Sequence, residues 1–250
     1  MKQFVAYYDY LGFKQLVESN SEERLAERAN HILRDIGMAL GQNKPIKVEG
    51  GIGRPDISES SINCLNISDT VIFWTIDDTV ENAKELMEVA YRFNWQSNLF
   101  NLPVRGALIY DHFHMRTGKS RNAKGAIFSP NLMYGKGLIK AHTLAEQLDW
   151  AGTIIDNTFI ERITSEINFY EFFDGFVTKY NVPYKGFYRN QYAMNLGKPI
   201  IDNPEALKNT IKSLRNNFED DYKSVTPSVE RKLENTIKYL EHYQKQKDDD

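Results

Sequence analysis

The order in which strand-like and helix-like stretches alternate constrains this chain most. Gln3 to Tyr10 (QFVAYYDY) is β-branched and aromatic, reads as a buried strand, and runs into Leu11-Gly12-Phe13, where a helix begins. That helix spans Phe13 to Leu40, polar on one face and carrying Leu16, Val17, Leu25, Ala29, Ile32, Leu33 and Ile36 on the other, with Gly41 as its stop. Residues 42 to 60 mix Gly, Pro and charge and read as a loop or ragged hairpin arm. Ile62 to Thr75 is then two short apolar runs around Ser68-Asp69, which predicts a β-hairpin with Asp69 near its tip. Thr79 to Leu99 is a second amphipathic helix, with Thr79 or Asp78 as N-cap and Glu81 or Glu85 in the first turn, followed by a strand over Val104 to Tyr110.

Asp111 to Ser129 is rich in His, Arg, Lys and Gly and predicts an exposed arm returning through Ala126-Ile127-Phe128. Tyr134 to Leu148 has helical spacing, and Thr153 to Ile155 is a short strand. The order β-α-β-β-α-β plus α-β is the split βαβ pattern of a ferredoxin-like α+β sheet with an addition. Past residue 160 the reading is a helix near Phe159 to Phe173, a strand pair over Tyr184 to Leu196 with Asn190 near its turn, and helices over 204–217 and 226–246. Val229, Leu233, Ile237 and Leu240 form one stripe on the last, which packs on the chain or on a second copy; Asp248 to Asp250 should fray. The expected organisation is therefore a core over residues 1–160 and a mainly helical C-terminal extension over 161–250 packed on it.

Charge excludes one broad class of function. Thirty-one basic against 34 acidic side chains leave a net charge of −3 with no long basic run, which argues against a binder of polymeric nucleic acid. Cys64 is the one cysteine, so neither an intramolecular disulfide nor a multi-cysteine zinc site is possible. No run approaches the ~20 apolar residues of a membrane helix, and Asp9 breaks the apolar N-terminal stretch before it reads as a signal segment. A cytoplasmic setting with no membrane partner is expected.

Asp9 lies at the end of a buried strand, where a carboxylate is costly unless positive charge meets it. Asp69 interrupts an otherwise apolar hairpin. In a split βαβ sheet the first strand and this hairpin are neighbours, so two carboxylates converge, as hard cations bound to phosphates require. Taken singly, each has an ordinary reading: Asp9 as a helix cap, Asp69 as a turn residue. His112 and His114, with Asp111, read as surface residues of a strand. Gly50-Gly51-Ile52-Gly53 lacks the following helix and Lys of a phosphate loop and reads as a turn. Cys64 reads as core, as do Trp74, Trp95 and Trp150, and Tyr7 and Tyr8 read as packing.

Asp9-Tyr10-Leu11-Gly12-Phe13 before a long helix, with Ile67-Ser68-Asp69 flanked by β-formers, resembles the class III nucleotidyl cyclase pattern of Asp-x-x-Gly-Phe with Gly/Ser-Asp in the next hairpin. The resemblance runs on through Val104-Arg105-Gly106-Ala107, Tyr134-Gly135 and Thr153-Ile154-Ile155-Asp156, covering about residues 3 to 160. It implies that Asp9, Asp69 and the Tyr10 carbonyl hold two divalent ions, Mg²⁺ or Mn²⁺. It also implies that the Leu11, Gly12 and Phe13 amides cradle a triphosphate, and that a ribose 3′-oxygen attacks the α-phosphorus. Amides at a helix start favour anions, and glycine at 12 permits close approach.

The departures from the pattern are specific. The positions that read a purine hold Leu65 and Leu132. The positions of the ribose-orienting Asn and the transition-state Arg hold Ile139 and Thr143. Arg105, Lys136 and Lys140 are the candidates for the missing charge, Arg105 and Lys140 foremost, either of them able to act across a homodimer with shared active sites. Lost purine determinants make the chain most similar to the pyrimidine cyclases of bacterial Pycsar antiphage systems. That implies a UTP or CTP substrate, UTP ahead of CTP, a cyclic UMP or cyclic CMP product and a separate effector protein that detects it. The alternative is a catalytically silent nucleotide-binding or dimerisation module.

Overall fold

The computed structural model describes residues 1–47, 53–196 and 204–248. Strand β1 (Lys2–Tyr10) is apolar on both faces, and so lies at the centre of the sheet. The single long helix expected after it is two: α1 (Phe13–Ser19) and α2 (Glu22–Leu40). Asn20 is extended between them, and the Ser21 hydroxyl accepts from the Arg24 amide with Glu22 and Glu23 in the first turn. That N-cap restarts the helix in a new direction. The predicted loop contains a short hairpin, β2 (Pro45–Lys47) with β3 (Gly53–Pro55). Gly50, Gly51 and Ile52 of the glycine-rich motif lie outside the described residues.

The expected hairpin is β4 (Ile62–Ile67) and β5 (Thr70–Thr75), joined by the two-residue turn Ser68-Asp69 with Ser68 at φ 53°. Helix α3 (Val80–Phe100) starts at the Thr79 cap, and β6 (Val104–His112) follows. The exposed arm is built of β7 (His114–Thr117), β8 (Ser120–Arg121), β9 (Ile127–Phe128) and β10 (Asn131–Tyr134), in two small antiparallel pairs. Then come α4 (Lys136–Gln147), β11 (Thr153–Ile155), α5 (Asn157–Thr164) and α6 (Phe169–Phe173). The Asp156 cap starts α5, and the Asn168 cap divides what the sequence suggested as one helix over Phe159 to Phe173. The strand pair also differs from expectation: it is β12 (Val177–Tyr184) and β13 (Phe187–Met194), turning at Lys185-Gly186 with Gly186 at φ 88°, not near Asn190. Helices α7 (Pro204–Glu219) and α8 (Pro227–Asp248) end the chain; Asp249 and Asp250 lie outside the described residues.

The main sheet runs β12-β13-β11-β6-β1-β5-β4. Its β6-β1-β5-β4 half is antiparallel throughout, with α2 crossing from β1 to the β4–β5 hairpin and α3 returning from β5 to β6: the expected split βαβ arrangement of an α+β fold. Strand β11 adds in parallel to β6, and the β12–β13 pair extends the sheet beyond it. Phe4, Ala6, Tyr8 and Tyr10 face α2 and α3, whereas Val5 and Tyr7 face α4 with Ile109 and Ala141. A third cluster gathers Trp150, Ile154 and Val182 under Leu207, Leu214, Leu233, Tyr239 and Leu240, so the stripe on the last helix packs against its own chain. Trp95, unlike Trp74 and Trp150, is only half-buried. No helix among the described residues is long and apolar enough to cross a membrane.

Candidate active site at the end of the first strand

Alternation along β1 puts Val5, Tyr7 and Asp9 on the α4 face. Asp9 stands opposite Thr70 of β5 on one side and Arg105 of β6 on the other. The turn carrying Asp69 folds back at this rung: the Tyr10 amide donates to the Asp69 carbonyl at 2.9 Å. The structure thus brings Asp9, Tyr10, Asp69 and Arg105 together at one end of the sheet. The Arg105 Nε and Nη2 both reach Asp9 Oδ2 at 2.7 Å, while Nη1 donates to the Glu146 carbonyl of α4 at 2.7 Å. Burial pushes the Asp9 carboxyl above its usual range; Arg105 pulls it back and Asp69 pushes it up again, the net being upward. The spot is short of positive charge despite the arginine.

A second polar line borders it. The Tyr7 hydroxyl lies 2.9 Å from His142 Nδ1 on α4 and 3.3 Å from Thr70 Oγ1. Burial raises the Tyr7 pKa, so the phenol is neutral and acts as a hydrogen-bonding strut between α4 and β5. Tyr7, expected from the sequence to serve packing, and His142, which the sequence does not single out, are thus both part of the site's border. The strand period was the available signal for Tyr7, which shares the face of Asp9; nothing in the sequence pointed to His142.

Other expected site residues fall elsewhere or are already engaged. Lys140 is not beside Asp9: its Nζ donates to Asp156 Oδ1 at 2.6 Å, where Asp156 caps α5 beyond the far end of β11. Burial alone raises the Asp156 carboxyl, but Lys140 and Thr158 outweigh it and the pKa is lowered. Helical geometry explains the misplacement: Lys140 lies six residues before Glu146 on α4, about 9 Å of rise and on a different side of the helix, and it is the Glu146 end that meets Arg105. Lys136, Leu132 and Ile139 are exposed or half-exposed on α4 and the arm. The Leu11 amide donates to the Pro103 carbonyl at 2.8 Å and so is not free for phosphate, leaving Gly12, in the left-handed region at φ 76°, and Phe13 at the start of α1. Cys64 is packed against the main core, and burial pushes its thiol up to about 12, which removes it as a nucleophile. His114 stacks on Tyr134, and the Asp111 carboxylate accepts from the His112 amide; among the described residues no three His, Cys, Asp or Glu side chains cluster as metal ligands.

The donor set suits a hard divalent cation. Asp9, Asp69 and the Tyr10 carbonyl offer only oxygen, both Arg105 contacts fall on Oδ2 of Asp9, and the carboxyl is raised mainly by burial with a smaller push from Asp69.

No protein-family model matches the chain, and neither does any curated protein sequence. Among solved structures it is similar to nucleotidyl cyclase domains. One is the guanylate cyclase domain of RhGC from Catenaria anguillulae in complex with GTP: 11% identity, 78% of this chain and 96% of that one, TM-score 0.45. Another is the dimeric guanylyl cyclase domain of the RhoGC fusion protein from Blastocladiella emersonii: 12% identity, 77% and 93% covered, TM-score 0.47. A third is a class III adenylyl cyclase-like ATP-binding protein from Pseudomonas aeruginosa: 12% identity, 65% and 34% covered, TM-score 0.39. Likeness of this degree says nothing about chemistry.

Proposed function

We propose that this chain is a metal-dependent nucleotidyl cyclase that converts a pyrimidine nucleoside triphosphate, UTP ahead of CTP, to its 3′,5′-cyclic monophosphate and pyrophosphate. The observation that carries the reading is the convergence of Asp9 and Asp69 through the Tyr10–Asp69 rung, at the end of a strand whose next residues open a helix. Asp9, Asp69 and the Tyr10 carbonyl would hold the metal, which when bound supplies positive charge to the phosphoryl group and the attacking oxygen. The Gly12 and Phe13 amides face the phosphates, and Arg105 holds the Asp9 carboxylate in place. In the reaction the ribose 3′-hydroxyl loses its proton to solvent, its oxygen bonds to the α-phosphorus, the bond from that phosphorus to the bridging oxygen breaks, and pyrophosphate leaves with the bonding pair. Leu65 and the exposed Leu132 stand at the positions that would read a purine and offer it no polar contact. The exposed Phe128, Leu132 and Ile139 on the arm and α4 are apolar surface of the kind a homodimer covers. In this reading the cyclic product is a second messenger for a separate effector protein in antiphage defence.

A second reading has its own observation: both cations expected at the transition state are already paired, Arg105 with Asp9 and Lys140 with Asp156. It makes the chain a silent nucleotide-binding module. Incubation of the protein with ATP, GTP, CTP and UTP plus Mn²⁺, followed by mass analysis, separates the two. The proposal expects one cyclic pyrimidine monophosphate, with turnover cut at least about a hundredfold in Asp69→Ala and in Asp9→Asn. Stabilisation by nucleotide without any pyrophosphate release would establish the silent module instead.

A further inference from the structure

A small cavity of about 60 Å³ opens beside the Leu11–Gly12 step, lined by Leu11, Gly12, Gln15 and Pro103 from the core and by Phe218, Lys223, Ser224, Val229 and Lys232 from the C-terminal segment. Leu11 is two residues from Asp9, and Lys232 feels the charge of Arg105, the Asp9 partner. Lys223 is 8% exposed, and its Nζ donates to the Asn217 carbonyl at 3.0 Å.

Neither lysine has a carboxylate to itself. Asp221, the acidic group closest in effect to Lys223, is taken by Arg24 at 2.8 Å and Arg28 at 2.7 Å, and Asp220 lies 3.5 Å from Arg28. Asp149, the acidic group nearest in effect to Lys232, is held by Arg231 through both oxygens. Among the described residues the Lys232 Nζ meets only the Ser228 hydroxyl and carbonyl, at 2.8 Å and 3.3 Å. The nearly buried Lys223 ammonium without a paired counter-charge is costly, Lys232 is half-buried, and burial lowers the pKa of both, that of Lys223 to about 8. Such an arrangement becomes favourable when an anion enters.

The approach is built, not incidental. Asp221 and Tyr222 both adopt the left-handed region, φ 64° and 55°, and the Asp221 anchor on α2 turns the α7–α8 connection so that Lys223 comes up under Gly12. The Gln15 amide donates to the Ser224 hydroxyl, tying the connection to α1.

We propose that Lys223 and Lys232 form, in the same chain as Asp9, a subsite for a terminal phosphoryl group of the nucleotide's polyphosphate tail, so that residues past 161 are part of the substrate site. The subsite rests on the nucleotide reading above, yet its test does not require turnover. Inorganic tripolyphosphate and orthophosphate are titrated, without divalent metal, against the full chain and against Lys223→Met, Lys223→Gln and Lys232→Gln, by calorimetry and thermal shift. Tripolyphosphate should bind the natural chain more tightly than orthophosphate, and each substitution should weaken it about tenfold to a hundredfold, the loss of one charge-assisted contact. Equal binding by natural and substituted chains overturns the subsite. So does preference for orthophosphate, which would mark a free-phosphate site. If the natural chain cyclises no nucleotide but tripolyphosphate binding still depends on both lysines, the subsite stands and the cyclase reading falls. If it cyclises a nucleotide with KM unchanged in Lys223→Met and Lys232→Gln, the reverse holds.

Discussion

Replacing Lys223 with methionine should stabilise the ligand-free protein, against the usual direction for a buried substitution. Burial takes the Lys223 ammonium from its ordinary 10.5 down to about 8, with Asp221 and Asp220 opposing the fall and Arg28 adding to it. At ~1.4 kcal/mol per pKa unit, that corresponds to about 3 kcal/mol of destabilisation while the side chain is charged in both states. Losing its bond to the Asn217 carbonyl returns about 1 kcal/mol, so a net gain of about 2 kcal/mol remains. For a chain of this size that is a rise of roughly 4–8 °C in Tm. The pH dependence fixes the cause. Below about 8 the lysine is protonated folded and unfolded, and the natural chain carries the whole penalty. Between about 8 and 10.5 the unfolded chain binds more protons, so the natural protein gains stability as pH rises and the advantage of Lys223→Met shrinks. Thermal melts of both proteins between pH 6.5 and 10.5 test this. A Tm for Lys223→Met at or below that of the natural chain at pH 7, or an advantage that does not shrink with rising pH, would show that the ammonium is not starved of counter-charge and would remove the electrostatic argument for the subsite.

Asp221→Asn keeps a residue that tolerates the left-handed backbone but removes the carboxylate facing Arg24 and Arg28, so denaturant unfolding at pH 7 should show a loss of about 3 kcal/mol or more. Burial raises that carboxyl, Arg28 and Arg24 lower it by more, and the net is downward; the advantage of the natural chain is therefore full above pH ~4 and is lost as pH falls through the depressed folded value. Gly106→Ala would set a Cβ 2.6 Å from the Tyr8 ring and 2.8 Å from the Tyr7 carbonyl, next to Arg105; a loss of about 1–3 kcal/mol in the same assay, with weaker nucleotide binding, is expected.

Local chemistry in the sequence determined most of the scaffold. The β-branched aromatic run of β1, the two-residue turn at Ser68-Asp69, the Thr79 cap and the strand at Val104 each depend on neighbours within a few residues, and their order alone dictates β6-β1-β5-β4 pairing. The meeting of Asp9 with Asp69 followed from that pairing and was legible in advance. Errors fell where a local signal had a competitor: Ser21 and Asn168 recap helices that the apolar spacing carried straight through, and Gly186 sets the β12–β13 turn where Asn190 was the more evident candidate.

What only the tertiary structure decided is which charged side chains are already satisfied. Arg105 meets Asp9 across 96 residues through the β1–β6 register, while Lys140 turns to Asp156 and Lys223 reaches Gly12 across more than two hundred because of how α4, α7 and α8 seat on the sheet. A charged side chain looks the same in sequence whether its partner is water, a carboxylate or a missing anion. Burial makes the difference, because it fixes the cost of leaving that charge alone, and burial is a property of the whole packed chain.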